Sequence, residues 1–245
     1  MRPVRKGSSP TQGDFNKYED AKPDLISRLG GYCSYCERRV PTNLAVEHLE
    51  PKDGEHGKPA LKNKWSNFLL ACVNCNSTKS DKQVEFDKLF FPDRDNTFYA
   101  FHYLPDGAIE PADYLSDNDK LIAQSTLKLI GLDKNQQVST DSNKKQVALD
   151  RVSQRISAWA KAETSRTLLN DSDTPLLRSY IAMATATSVG YFSVWMTVFE
   201  NDSDMKLRLI QAFEGTEASG CFDMITGNPI TPAPNPDLLQ NGGEI

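Results

Sequence analysis

Cys33-Ser34-Tyr35-Cys36 and, after 35 intervening residues, Cys72-Val73-Asn74-Cys75 decide the reading of this chain. Each pair is a knuckle that offers two thiolates to one ion, and four thiolates suit a closed tetrahedral zinc site that joins two remote segments. The opening Met1-Arg2-Pro3-Val4-Arg5-Lys6 is basic but runs into Gly7-Ser8-Ser9-Pro10, not into the apolar stretch of an export signal. The expectation is a cytoplasmic chain with reduced thiols, where paired cysteines point to metal before disulfide. A redox role would account for one pair, not for two. The usual template has about 15–20 residues between pairs, so a larger insert lies inside this loop. Cys221 stands alone and reads as a small buried apolar residue.

The chain around this nucleus has 245 residues, 38% hydrophobic and 25% charged, enough to bury a core and to argue against disorder throughout. Its 28 Lys+Arg against 33 Asp+Glu, net −5, exclude a protein that coats nucleic acid through bulk charge. Residues 1–85 carry 14 basic and 11 acidic side chains, leaving 14 and 22 for residues 86–245. Phosphate chemistry is therefore expected in the N-terminal third.

Short apolar runs broken by Pro and Gly extend to about Lys88. Phe98 to Leu104, Pro105-Asp106-Gly107 and Ala108-Ile109 then read as a hairpin. From Ser116 the pattern turns helical. Ala123, Leu127 and Ile130 share a face, and Gly131 stands where a C-terminal cap belongs. A helix over about 143–166 buries Leu149, Val152, Ile156 and Trp159, with Lys144, Arg151 and Arg155 opposite as a solvated face or a nucleic-acid contact. Thr174-Pro175 starts a helix that runs through Phe199 with Ile181, Ala184, Ser188, Phe192, Trp195 and Phe199 on one side. Its uncharged stretch Ser179 to Phe199 is long enough to cross a bilayer, but its six Ser and Thr favour a buried soluble helix. A last helix spans about 205–213, and the Pro-rich tail from Gly227 is expected to be loosely held.

The cysteine loop holds Val46-Glu47-His48-Leu49-Glu50-Pro51-Lys52 and Trp65-Ser66-Asn67-Phe68-Leu69-Leu70-Ala71-Cys72, with Cys75-Asn76-Ser77-Thr78-Lys79-Ser80-Asp81 following. This arrangement resembles the HNH endonucleases of the zinc-stapled kind over residues 32–82. The resemblance implies a ββα-metal unit with a histidine ending the first strand and a metal ligand on the helix. The chemistry asks for these residue types. Phosphodiester hydrolysis needs a deprotonated water, a cation on the phosphate and positive charge on the transition state. His48 suits the base, because a neutral imidazole is available near pH 7. Glu47 and Asn76 offer hard oxygens fit for Mg²⁺ or Mn²⁺ and poor for zinc. Neighbouring strand residues face opposite ways, so Glu47 and His48 meet one phosphate only if the strand ends or bulges there, which Pro51 makes plausible. If a helix starts near Asn76, its amides and Lys79 face the phosphate, Lys79 as an electrostatic clamp. The resemblance implies Asn67 as the brace of the His48 loop. It also aligns Asn76, where family members often have histidine, with the Asn-x-x-Lys-Ser-Asp run of guide-directed nucleases. His56 reads as exposed loop or substrate contact, and His102 as packing.

Over most of the chain, the opening heptapeptide, the Tyr32 to Glu37 knuckle, Phe91 to Asn96, Ala212 to Thr216 and Cys221-Phe222-Asp223 are similar to the PtuB family of HNH effectors. That resemblance implies a Septu or retron-associated anti-phage system, a partner ATPase of the PtuA kind, in retrons a reverse transcriptase with its RNA–DNA product, and DNA or transfer RNA as target. The expected fold is α+β: a basic arm and lead-in helix (1–30), a zinc-stapled HNH nuclease domain (31–88), a hairpin connector (89–115), a helical docking domain (116–225) and a tail (226–245). Zinc is structural and Mg²⁺ or Mn²⁺ catalytic in this reading. The competing reading is a zinc-stapled binding module without catalysis.

Overall fold

The computed structural model describes residues 1–134 and 142–245, apart from the side chains of residues 142–149. A 3-10 turn (Tyr18–Ala21) leads into α1 (Lys22–Leu29), whose Leu25 and Leu29 are buried. Strand β1 (Ala45–His48) pairs antiparallel with β2 (Phe68–Ala71) in the register Val46↔Leu70 and His48↔Phe68. All four residues of β2 are buried, as a continuous apolar run between covered faces requires. Helix α2 (Val73–Lys79) completes the ββα unit and begins three residues before the predicted start at Asn76. The second cysteine knuckle is itself the helix's first turn, with Cys72 as its N-cap. Asn76 consequently sits mid-helix and Lys79 in the last turn.

The hairpin forms from β3 (Phe101–Tyr103) and β4 (Ile109–Pro111), with Gly107 at φ +80° in its turn. Helix α3 (Asp117–Ile130) buries Ala123, Leu127 and Ile130 and ends on left-handed Gly131, as the pattern predicts. Helix α4 (Ser142–Asp171) runs five residues past its predicted end. Lys144 and Leu149 lie outside the described side chains. Arg151 and Arg155 are neither solvated nor available to nucleic acid: both are buried. Arg151 Nη1 donates to the carbonyls of Ile130 (3.1 Å) and Gly131 (3.0 Å), and Arg155 Nε to that of Gly107. The free carbonyls ending α3 need donors, and Arg151 supplies them. Ile156, assigned to the buried stripe, is 37% exposed.

The helix predicted from Pro175 through Phe199 is broken. It comprises α5 (Pro175–Tyr180), a π-helical turn (Ile181–Ala186), α6 (Thr187–Val189) and, after Gly190 and Tyr191, α7 (Phe192–Val198). The first cysteine knuckle causes the break. Tyr191 N donates to the Glu37 carbonyl at 3.0 Å, and a Cβ on Gly190 would stand 2.6 Å from that same oxygen. Ala184 and Ser188 are exposed, because the π turn rotates the packed face. No helix among the described residues is long and apolar enough to cross a membrane.

Helix α8 (Ser203–Ala212) closes the helical part. One hydrophobic core lies over β1, β2, α1, the hairpin and α3, and a second among α4 to α8 with Cys221 and Phe222; Trp159 packs against both. Glu37 joins the nuclease unit to the rest. Its carboxylate accepts from Ser193 N (2.8 Å), Ser193 Oγ (2.6 Å) and Tyr103 OH (3.1 Å). The basic opening segment is folded inward. Arg2 Nη2 donates to the Leu29 carbonyl (2.6 Å), and Lys6 Nζ to those of Phe68 (2.6 Å) and Ser66 (2.9 Å) beside Asp93. The tail is not loose either. The Ile245 carbonyl accepts from Asn96 N and Ala233 N, both at 3.0 Å, and Arg5 pairs with Asp237, so backbone and ion pairs supply what the tail lacks in apolar side chains.

Candidate active site

Cys33, Cys36, Cys72 and Cys75 are buried, and their sulfurs all lie within 4.8 Å of one another. The Cys36–Cys72 sulfur separation is 3.8 Å. A regular tetrahedron with Zn–S bonds of about 2.3 Å has edges of about 3.8 Å. The donor set therefore fits zinc in both chemistry and size. Hydrogen bonds from the three neighbouring thiols push Cys72 far below the ordinary thiol range, while burial and those same bonds push Cys33 and Cys75 well above it. Cys221 is remote from it, and burial pushes its thiol up to about 11.

β1 ends at His48, and this lets the adjacent residues Glu47 and His48 line one cavity of about 580 Å³ together with Asn76 and Lys79. His48 Nε2 lies 2.8 Å from the Lys62 carbonyl oxygen. A carbonyl only accepts, so Nε2 carries the hydrogen and the neutral ring keeps its lone pair on Nδ1. Burial, with lesser contributions from the charges of Lys52 and Lys79, holds the imidazole below its ordinary value against the opposing pull of that carbonyl. The ring is thus a neutral base at pH 7. Phe68 and Tyr18 grip it edge-on at centroid distances of 5.3 and 4.8 Å.

Asn67 is buried and fastens the loop that follows His48. Its Oδ1 accepts from Glu50 N at 2.8 Å and its Nδ2 donates to the Glu50 carbonyl at 2.9 Å. Glu47 is 1% exposed. Its Oε1 accepts from Tyr35 OH at 3.2 Å and lies 3.0 Å from Lys79 Nζ. No hydrogen bond reaches Oε2 or the Asn76 side-chain amide among the described residues, while the Asn76 backbone amide donates to the Cys72 carbonyl at 3.0 Å. Burial pushes the Glu47 carboxyl above the usual range, opposed by Lys79, Tyr35 and Lys52. The Glu47 carboxylate and the Asn76 side-chain amide line one cavity, and their hard oxygens fit a divalent cation, which would supply charge to the bound phosphate.

Lys79 does not stand as an open clamp. Its ammonium is buried at 2% exposure, donates to the His48 carbonyl at 2.7 Å and pairs with Glu47. The earlier start of α2 accounts for this, since it turns Lys79 into the unit's interior. Two cavity residues without an assigned role in the sequence reading are Tyr18 and Lys52, whose Nζ lies 3.7 Å from the Tyr18 ring centroid. Lys52 follows Pro51 directly, and a cation just past the His48 turn is the signal that would have marked it. Lys62 acts through its backbone and leaves no signal. His56 is exposed and does not line the cavity; His102 packs edge-on against Tyr114.

A ββα unit stapled by four cysteines, with a histidine at the strand end, defines a nuclease of the HNH class. The profile of the HNH endonuclease family matches residues 33–82. A protein of Vibrio cholerae serotype O1 biovar El Tor named "Retron Vc95 putative HNH endonuclease" is 30% identical over 139 residues, covering 53% of this chain and 68% of that protein. The chain belongs to the HNH endonuclease family and is a nuclease.

Proposed function

We propose that this nuclease is the metal-dependent effector subunit of an anti-phage defence complex. His48 Nδ1 takes the proton from the attacking water, Glu47 and Asn76 hold Mg²⁺ or Mn²⁺, Asn67 braces the loop that carries the base, and Cys33, Cys36, Cys72 and Cys75 hold structural zinc. The observation that carries this reading is the His48–Lys62 hydrogen bond. It fixes the tautomer a general base needs, beside two hard-ligand side chains with free donor atoms. Lys79 then orients Glu47 rather than touching substrate.

The likeness to a protein named for a retron supports a retron setting, with a reverse transcriptase and its RNA–DNA product as neighbours. The resemblance to the PtuB family adds a PtuA-like ATPase, docked on the helices between Ser116 and Phe213. Charge supports dependence on a partner. Arg2, Lys6, Lys79, Arg151 and Arg155 are all buried in internal contacts, so the cations left at the surface give a field too weak to capture a polyanion at physiological salt. The target is DNA or transfer RNA. Sequencing of cleaved ends in cells carrying the chain with its genomic neighbours identifies it: breaks in one nucleic acid, absent with His48→Ala, support the reading. Nanomolar binding of either polymer by the isolated chain at about 0.15 M salt, unchanged by the ATPase, contradicts the subunit role.

A further inference from the structure

We propose that Lys52, carried on the face of the Tyr18 ring, binds the scissile phosphodiester in the cavity of Glu47, His48 and Asn76. This assignment rests on the reading of that cavity as the catalytic site. Three lysines line the cavity, Lys22, Lys52 and Lys79. Lys79 is committed to Glu47 and the His48 carbonyl and is enclosed. Lys52 is half-buried and has no ion pair among the described residues. Its ammonium sits 3.7 Å from the Tyr18 centroid, while the same ring meets His48 edge-on at 4.8 Å. One aromatic ring therefore fixes both a cation and the imidazole.

A ring face steadies an ammonium without cancelling its charge, unlike a carboxylate. The ammonium keeps donors for a non-bridging phosphate oxygen, and stabilising the charge that develops there lowers the barrier. It lines the same cavity as Glu47 and His48, which places it on the side where the chemistry is proposed. Among the described residues none of the cavity's Glu19, Asp53 and Asp81 forms an ion pair with Lys52, although its charge acts on Glu19. Lys22, four residues after Tyr18, also has no ion pair among the described residues and serves as the comparison cation.

The test uses the zinc-loaded full chain. Cleavage of supercoiled plasmid DNA and of bulk transfer RNA with Mn²⁺ is measured for Lys52→Met, Lys52→Gln, Lys52→Arg, Lys22→Met, Tyr18→Ala and Tyr18→Phe. Binding of a fluorescent 20-nucleotide DNA and the matching RNA is followed in a His48→Ala background as a function of salt. Lys52→Met and Lys52→Gln are expected to lose on the order of 10² in kcat/KM, mostly in kcat. Lys52→Arg keeps most of the activity, and Tyr18→Phe keeps more than Tyr18→Ala. The salt slope of binding falls by about one for Lys52→Met, the signature of one lost phosphate contact. Folded, zinc-bound Lys52→Met with the parent's kcat/KM and salt slope, while His48→Ala is inactive, overturns the assignment alone. Unimpaired cutting by His48→Ala instead overturns the site reading beneath it. A Lys22→Met variant that loses what Lys52→Met retains moves the phosphate contact to Lys22 and rejects the proposal.

Discussion

Lys79 Nζ and Glu47 Oε1 lie 3.0 Å apart with both side chains 2% exposed, and the same ammonium donates to the His48 carbonyl. One buried cation thus ties the last turn of α2 to the end of β1 and holds the two residues proposed as metal ligand and base. Removing one partner of a buried pair leaves the other charge uncompensated, at a cost of about 3–5 kcal/mol. Lys79→Met is therefore expected to lower stability by that order in chemical denaturation. A variant as stable as the parent would show that Lys79 is not a structural tie.

The zinc assignment predicts one zinc per chain by elemental analysis. Cys72→Ser loses the metal and unfolds, whereas Cys221→Ser keeps both, because Cys221 packs in the second core away from the four sulfurs. Equal zinc loss from the two variants would contradict it.

Asn67→Ala removes both hydrogen bonds to Glu50 from a buried site. A stability loss of about 1–3 kcal/mol is expected. Because the loop it fastens follows the base, kcat falls while the zinc content stays at one per chain. Parental kcat in a zinc-bound Asn67→Ala protein would separate this loop from catalysis.

Much of this was readable in the residues themselves. Cysteine spacing points to the staple, and Glu47 and His48 reach one cavity with Asn76 of α2 where strand β1 stops at His48. The helix start was misplaced because a knuckle and a first helical turn look alike in sequence. Gly190 is hidden inside an uncharged helical pattern; what breaks the helix there is the Glu37 carbonyl, more than 150 residues earlier. Arg151 and Arg155 pattern as surface charge, yet distant carbonyls at Ile130, Gly131 and Gly107 draw them in. Long-range partners of this kind have no local periodicity to announce them.

Burial raises the Asp95 carboxyl to about 7, despite its acceptance of amides from Phe91 and Glu244. A folded pKa above the unfolded value of about 3.9 stabilises fully below that value and loses the contribution as pH rises through about 7. Between pH 5 and 8 the parent therefore loses about 2–3 kcal/mol that Asp95→Asn does not. Whatever the variant costs at pH 5, its deficit in urea unfolding should shrink by that amount at pH 8. A deficit independent of pH would refute the shift.

The central claim is that His48, held in one tautomer by the Lys62 carbonyl, is the general base. The direct measurement is phosphodiester cleavage by purified His48→Ala protein, checked for fold and zinc, alongside the parent. The account predicts a folded, one-zinc protein whose cleavage rate is lower by a factor on the order of 10² or more. Cleavage at the parental rate, with contaminating nuclease excluded, would contradict it.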